Sequence, residues 1–233
     1  MRFETAVSTC PVCMPARSSV LTGQFARTCT GRLGNYAEKN AEGKWVLPEY
    51  PSPERFEMLD PTLPEILRGQ GYDTALIGKW HIEPAPPTVG FDYSLYPRVH
   101  HRHTHQIFVE NAGEGEEVDG WSVEYEISRV EQYLAEKREK PFFLFYNISP
   151  PHMPLLDAPE KYLTMYSPEE VPLRPNVFHE GSFPPLDADL ERWFKIYLWD
   201  FLFHDYKMPH TENLPEGFDL RKLTALYYGL TTW

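Results

Sequence analysis

The feature that most restricts the fold is the apolar run Phe142-Phe143-Leu144-Phe145-Tyr146, which has the length of one β-strand. A run without polar alternation is typical of a strand covered on both faces of a sheet. Pro141 stands before it and ends a stretch, from Ser122 to about Lys140, with apolar residues at helical spacing. Those apolar residues are Val123, Ile127, Val130 and Leu134. The sequence therefore predicts a helix that leads into a buried strand.

A second helix–strand unit lies earlier in the chain. Thr62-Leu63-Pro64-Glu65 has the capping-box pattern that opens a helix, and Gly69 and Gly71 close it. The residues from Tyr72 to Ile77 then predict a short buried strand that ends at Gly78. Two such units in series predict an α/β fold, with a largely parallel sheet covered by helices on both faces.

The intervening segments give weaker signals. Residues 24–60 and 84–120 predict irregular connections, the second of them an insertion beside the substrate. Residues 186–206 have aromatic side chains at helical spacing, and residues 219–233 predict an amphipathic helix.

Composition excludes several function classes. The chain has 233 residues, enough for one large domain, and a net charge of −12, which argues against binding nucleic acid or an anionic membrane. No apolar run has the length of a membrane span, and the N-terminus lacks the apolar core of a signal peptide. The sequence assigns no compartment.

The stretch from Cys13 to Gly23 predicts an anion site at a helix N-terminus. Pro15 suits the first turn of a helix, and Gly23 is a natural residue to end it. Cys13 is then expected to face the unpaired N–H groups of that helix, with Arg17 one turn on.

These residues carry a family resemblance. Cys13-Met14-Pro15-Ala16-Arg17, followed by Leu21-Thr22-Gly23, resembles the signature of the sulfatase family. In that family the cysteine is oxidised to formylglycine, whose hydrated aldehyde is the nucleophile; a plain thiol lacks the second oxygen needed to expel sulfate. The resemblance implies an alkaline-phosphatase-like α/β/α sandwich and a sulfuric ester hydrolase.

A second landmark is Gly78-Lys79-Trp80-His81, which directly follows the earlier strand. If the chain stays extended, Lys79 and His81 lie on the same side and Trp80 lies opposite. Open α/β sheets place their sites past such strand ends. Similarity to sulfatases implies that Lys79 holds sulfate oxygens and that His81 orders the nucleophile. Without that similarity, the simplest interpretation is that Lys79 and His81 are solvent-facing loop residues and that Trp80 is part of the core.

A third landmark is Pro151-His152-Met153-Pro154, in a proline-bounded loop after the later strand. It resembles the sulfatase motif whose histidine contacts the bridging oxygen and is a candidate acid for the leaving alcohol. The ordinary pKa range of histidine suits that task near neutral pH. On this motif alone, a structural loop histidine is the favoured interpretation of His152.

A histidine-rich segment lies between residues 98 and 105. On a strand, His101, His103 and His105 line one face, which suits zinc or copper, but no nearby acid or cysteine completes a site. Exposed loop histidines are the simplest interpretation. A third hypothesis makes His101 and His103 part of a basic lip that binds an anionic substrate, together with Lys79 and His152.

Cys10-Pro11-Val12-Cys13 is also a C-x-x-C motif, which is typical of a redox pair or half of a zinc site. Cys29 is the only other cysteine, so a zinc site built from cysteine alone lacks ligands. Two small buried thiols beside an ordinary helix remain the plain alternative.

Similarity to sulfatases also implies a calcium ion held by carboxylates, which are the hard oxygen ligands it prefers. The expected carboxylate motifs are not recognised, so formylglycine at Cys13 is the one metal ligand assigned. Residues 1–233 are therefore interpreted as a partial sulfatase catalytic domain, without its first strand and its C-terminal metal-binding part. Such a piece is expected to be unstable or inactive alone.

The resulting hypothesis is hydrolysis of a small-molecule or saccharide sulfate ester by Cys13, Arg17, Lys79, His81 and His152. A formylglycine-generating enzyme is an implied partner. Hydrolysis of phosphate or phosphonate esters on the same scaffold is one alternative. A non-catalytic domain that binds a sulfated ligand is another.

Overall fold

The computed structural model describes residues 4–29, 38–39, 41–42, 45–46, 61–82, 84–99, 101–174 and 220–232. The chain divides into two compact units. The first is drawn from residues 1–100, 107–117 and 125–148, and the second from residues 101–106, 118–124 and 149–233. No helix in the described ranges is both long enough and apolar enough to cross a membrane.

The regular elements have these bounds. The helices are α1 (Cys13–Thr22), α2 (Ala26–Cys29), α3 (Leu63–Gly69), α4 (Ser122–Ala135), α5 (Glu160–Leu163) and α6 (Leu220–Thr232). The strands are β1 (Glu38–Lys39), β2 (Trp45–Val46), β3 (Asp73–Gly78), β4 (Tyr93–Pro97), β5 (Thr104–Glu110), β6 (Gly115–Trp121) and β7 (Phe142–Asn147). Two short 3₁₀ helices cover Pro86–Val89 and Pro168–Glu170.

The main sheet has the strand order β6-β5-β4-β3-β7, and β1 pairs with β2 in a small separate ribbon. The central strand β3 is parallel to both of its neighbours, β4 and β7, whereas β4 and β5 are antiparallel. In the β3–β7 register Gly78 pairs with Asn147, so these two strands end side by side. The predicted α/β class with a mostly parallel sheet is confirmed.

The expectation of an irregular segment over residues 84–120 is wrong. The segment contains β4, β5 and β6, and β4 pairs directly with the central strand. Local signals are weak there because proline, glycine and acidic residues interrupt the apolar pattern, while the pairing comes from strands distant in sequence. A position beside the substrate stays a prediction.

The predicted helix ends of α1 and α3 are confirmed. Gly23 follows α1 with φ +69, the left-handed conformation that ends many helices. At the start of α3, Thr62 accepts a hydrogen bond from the backbone N–H of Glu65, whose side chain accepts one from Thr62 N–H. Both caps use only residues close in sequence, which is why the sequence predicted them.

Helix α4 is shorter than predicted and presents a different face. It ends at Ala135 rather than near Lys140, and Leu134 is 52% exposed. The buried positions are Ser122, Val123, Glu126 and Tyr133, so an acidic residue takes a place in the apolar stripe. The predicted helix in residues 219–233 is confirmed as α6, and the aromatic stretch 186–206 lies outside the described residues.

The core of the first unit lies against β3 and β4. Its buried members are Leu21, Leu76, Trp80, Ile82, Val89, Phe91, Tyr96 and Val109. Trp80 is fully buried, packs edge-on against Phe91 and donates its indole N–H to the carbonyl of Pro84 at 2.9 Å. The segment after β3 is therefore anchored by a large side chain with a satisfied polar group.

In the second unit α5 and α6 approach closely. A Cβ at Gly229 would lie 1.9 Å from the carbonyl oxygen of Tyr162, so only glycine allows this contact. Arg221 donates to the carbonyl of Val171 at 2.6 Å, and Tyr166 and Thr232 share a hydrogen bond of 2.7 Å. These contacts join α6 to residues 162–171.

We expect Gly229→Ala to lower the free energy of unfolding by roughly 1–3 kcal/mol, because the new methyl group overpacks the Tyr162 carbonyl. Thermal unfolding followed by circular dichroism measures this. Gly69→Ala is the matched control, since a Cβ there meets no atom within 4 Å. An unchanged midpoint for Gly229→Ala would show that α6 does not pack as described.

Candidate active site

Cys13 is the first residue of α1, as the sequence predicted. Val12 before it has an extended backbone, and its carbonyl accepts the Ala16 N–H at 3.0 Å. The Cys13 Sγ atom lies 3.1 Å from Nδ1 of His81. Two residues 68 positions apart are thus brought into hydrogen-bonding distance at a helix N-terminus. Cys10 and Cys13 are both free, with no disulfide between them.

The turn after β3 aims His81 at Cys13. Gly78 ends the strand with φ +89, and His81 has φ +50, a left-handed conformation that is costly for a residue other than glycine. The condition that the chain stays extended through Lys79 and His81 is therefore not met at His81. The tertiary contact with Cys13 accompanies the strained backbone at His81.

Lys79 is held from both sides through its backbone. Its N–H donates to the Asn147 carbonyl at 2.7 Å, and its own carbonyl accepts from Arg17 Nη1 at 2.9 Å. Arg17 thus ties α1 to the segment that carries Lys79. These two bonds fix where the Lys79 side chain starts.

The Lys79 side chain is buried, with only 1% of the residue exposed, so a solvent-facing loop position is wrong for it. Its Nζ atom has no hydrogen-bond partner among the residues that the structure describes. Burial lowers the pKa of Lys79 from 10.5 to about 8; nearby Cys13 opposes this shift, and Arg17 adds to it. A buried ammonium beside a cysteine and an arginine is suited to an anion.

A cavity of about 590 Å³ in the first unit is lined by Cys13, Arg17 and Asn147. Its other walls are Val7, Ser8, Thr9, Ala16, Ser19, Val20, Gly23, Gln24, Phe25 and Phe145. None of these described wall residues is an aspartate or glutamate. The described walls of the cavity therefore do not offer the carboxylate set that Ca²⁺ prefers.

His152 lies in the second unit, in the loop after β7. Its ring Nδ1 is 3.0 Å from the carbonyl oxygen of Met153. A carbonyl oxygen only accepts, so Nδ1 carries the proton and Nε2 is the atom that exchanges one. The ring of His101 stacks on that of His152, with centroids 4.7 Å apart and planes at 27°.

His103 is fully buried, and its Nε2 lies 3.0 Å from the carbonyl oxygen of His152. The Asp157 carboxylate accepts the backbone N–H groups of His103 and Thr104 at 2.6 and 3.2 Å, together with the Thr104 hydroxyl. Because His103 is fully buried, a role in holding the His152 loop is favoured, rather than direct contact with the substrate.

His105 is directed elsewhere and pairs with Asp119 at 3.0 Å on the surface. Among the described residues, His101, His103 and His105 do not come together as a metal-binding group. The three-imidazole hypothesis therefore has no support from the geometry.

Sequence reasoning missed a buried acid. Glu126 on α4 has no exposed surface and lies beside Gly78 and the Tyr146 hydroxyl. Burial raises the pKa of its carboxyl from 4.5 to about 8, although the Tyr146 hydroxyl acts in the opposite direction. The available signal was its spacing, since Glu126 lies between Val123 and Val130 on the apolar stripe.

A sequence profile of the family described as Sulfatase matches residues 1–176 of this chain. The chain belongs to the sulfatase family. It is similar to an ulvan-active sulfatase of Formosa agariphila, with 34% identity over 76% of this chain and 33% of the relative. An N-acetylglucosamine-6-O-sulfatase of Bacteroides thetaiotaomicron is 24% identical over 77% of this chain and 29% of its own length. The chain thus spans about a third of the length of these sulfatases.

The fold of this chain also matches solved structures. One is a protein in complex with its substrate D-glucosamine-2-N,6-O-disulfate, with a TM-score of 0.59 and 23% identity over 77% of this chain and 33% of that chain. A yidJ protein from Bacteroides fragilis has a TM-score of 0.61 and 19% identity over 97% and 46% of the two chains. At these identities the likeness establishes the alkaline-phosphatase-like α/β fold.

Replacement of Lys79 tests the buried charge. Below pH 8 the lysine is protonated in both the folded and unfolded states, so its burial cost is fully present; the cost disappears as pH rises towards 10.5. We expect Lys79→Met to raise the free energy of unfolding by about 3 kcal/mol at pH 7 and by much less above pH 10.5. Urea unfolding at both pH values measures this.

Lys140→Met is the control for that experiment, because Lys140 is 65% exposed in its side chain and pairs with Asp73 on the surface. Equal effects of the two substitutions at neutral pH would contradict the burial of Lys79.

Glu126→Gln tests the buried acid. Because the folded-state pKa of Glu126 is above that of the unfolded state, wild-type stability should fall as pH rises from 4.5 to 8. We expect the glutamine variant to lose part of that dependence. Urea unfolding across this pH range is the measurement, and Glu131→Gln, on the exposed face of α4, is the control. The same pH slope in all three proteins would argue against a buried carboxyl.

Proposed function

We propose that this sulfatase hydrolyses sulfate esters of carbohydrates, with an oxidised Cys13 as its nucleophilic residue. The observation that carries the proposal is the buried Lys79, whose ammonium has no hydrogen-bond partner in the described part of the chain and lies in the segment that also brings His81 to Cys13. The carbohydrate class is supported by the similar proteins, one named ulvan-active and one named for N-acetylglucosamine-6-sulfate.

Position 13 provides the nucleophile. The formylglycine that family members carry there supplies an aldehyde hydrate, whose oxygen attacks sulfur. In this chain the Sγ atom marks the place of such an oxygen, 3.1 Å from His81 Nδ1. His81 would orient the hydroxyl at position 13 and hold its proton at Nδ1.

Lys79 would bind the sulfate group of the substrate. Its ammonium is desolvated, so an anion next to it gains more electrostatic energy than it would at the surface. Arg17 holds the Lys79 carbonyl and would act mainly as a positioning residue for the lysine. Lys79 would then stabilise the negative charge on the sulfate oxygens as the ester bond breaks.

His152 would protonate the leaving alcohol. With Nδ1–H bonded to the Met153 carbonyl, the imidazolium gives its Nε2 proton to the bridging ester oxygen as the sulfur–oxygen bond breaks. Over the full reaction one water is consumed, and the products are the alcohol and sulfate. The modifying enzyme that oxidises Cys13 is a required partner of this scheme.

The test uses the protein isolated from its own cells at its natural length. Fragment-ion mass spectrometry of the Cys13 peptide should find an aldehyde, and the protein should hydrolyse a sugar sulfate faster than the matching sugar phosphate. Cys13→Ala should remove the activity, since the nucleophile is lost. Cys10→Ala is the matched control within the same C-x-x-C motif and should retain the activity.

An unmodified thiol in a protein that still binds sulfated sugars would overturn the proposal and favour the non-catalytic alternative. Faster turnover of the phosphate ester would instead favour a phosphohydrolase on the same scaffold. Loss of activity in both cysteine variants would favour a redox pair.

A further inference from the structure

We infer that His101 is a positioning residue for His152, holding the ring of the proposed acid through face-to-face contact. The inference rests on the proposed role of His152 and adds a residue to it. Its basis is the stacked pair of imidazole rings, 4.7 Å apart at 27°. Both residues belong to the second unit and are partly exposed, so the pair is accessible from solvent.

Three contacts together restrict His152. The Met153 carbonyl holds the ring at Nδ1, and His103 Nε2 donates to the His152 carbonyl oxygen. These two bonds set the tautomer and hold the backbone. His101 covers one face of the ring and restricts its tilting, so it adds a constraint on Nε2.

The segment after His101 is anchored by hydrogen bonds. Asp157 accepts the N–H groups of His103 and Thr104, which joins the segment after His101 to the loop that contains His152. The fully buried ring of His103 packs near Trp121, with centroids 6.0 Å apart. His101 is therefore presented from an anchored segment, as a residue that positions another must be.

The chemistry requires a flat ring at position 101. A neutral aromatic face stacks well on an imidazolium, because the π-electrons attract the cation. Phenylalanine keeps this face without any hydrogen-bonding nitrogen, whereas leucine has a comparable volume and no flat ring. The Phe and Leu variants thus separate stacking from simple space filling.

The proposed experiment compares two substrates on the natural-length protein. An alkyl sulfate, such as a sugar 6-sulfate, has a basic leaving group that needs a proton; 4-nitrophenyl sulfate has a good leaving group and needs little help. We expect His101→Leu to lower kcat on the sugar sulfate by roughly 10- to 100-fold, within the range of general-acid effects, and far less on the aryl sulfate. His101→Phe should recover most of the loss.

His105→Leu is the matched control, because His105 lies in the same segment but pairs with Asp119 at the surface. It should behave as wild type on both substrates. Nitrogen-15 NMR of the His152 ring gives a readout separate from activity: the ring signals should be sharp in wild type and in His101→Phe, and broadened by ring motion in His101→Leu.

His152→Ala distinguishes failure of this inference from failure of the proposed function. If His152→Ala lowers kcat equally on both substrates, His152 is not the general acid and the proposed function fails at this residue. If His152→Ala is selective for the sugar sulfate while His101→Leu is not, only the positioning role of His101 is overturned. Equal activity of the Phe and Leu variants would overturn it as well.

Discussion

The pairing of β3 with β7 is the constraint on which the first unit depends. The two strands run parallel and end together at Gly78 and Asn147, and the next residue, Lys79, donates its N–H to the Asn147 carbonyl. A side chain at position 78 would place its Cβ 2.2 Å from that carbonyl oxygen. Glycine at the strand end is thus what allows Lys79 and His81 to leave the sheet in the direction of Cys13.

Two buried ionisable groups lie close to this strand end, and both oppose stability. The Lys79 ammonium and the Glu126 carboxyl are desolvated, which lowers the pKa of the first and raises that of the second. A well-packed apolar residue at either position would avoid this cost. Buried ionisable groups that cost stability occur mainly at functional sites. The Lys79 ammonium fits this rule, because it belongs to the proposed sulfate site.

The histidine-rich segment shows how one sequence pattern supports several interpretations. Alternation along a strand suggested a metal site or a basic surface, but the three rings diverge. His101 and His103 contact the His152 loop, while His105 faces Asp119 at the surface. The alternation fails because His101 and His103 precede β5, and because His105 within it has a φ of +47.

The sequence by itself determined the elements that depend on near neighbours: the capping box at Thr62, the end of α1 at Gly23 and the presence of strand β7. The predicted burial of β7 on both faces is wrong, since Phe142 is exposed and the rest of the strand is half-buried. It also determined the family, through residues quoted directly from three short motifs. Only the tertiary structure decided the partners of those residues. The contact of Cys13 with His81, the bond from Arg17 to Lys79, the burial of Glu126 and the strands within 84–120 all join positions far apart in sequence. Such pairings leave no local periodicity, because their hydrogen bonds and packing form only when the chain is folded.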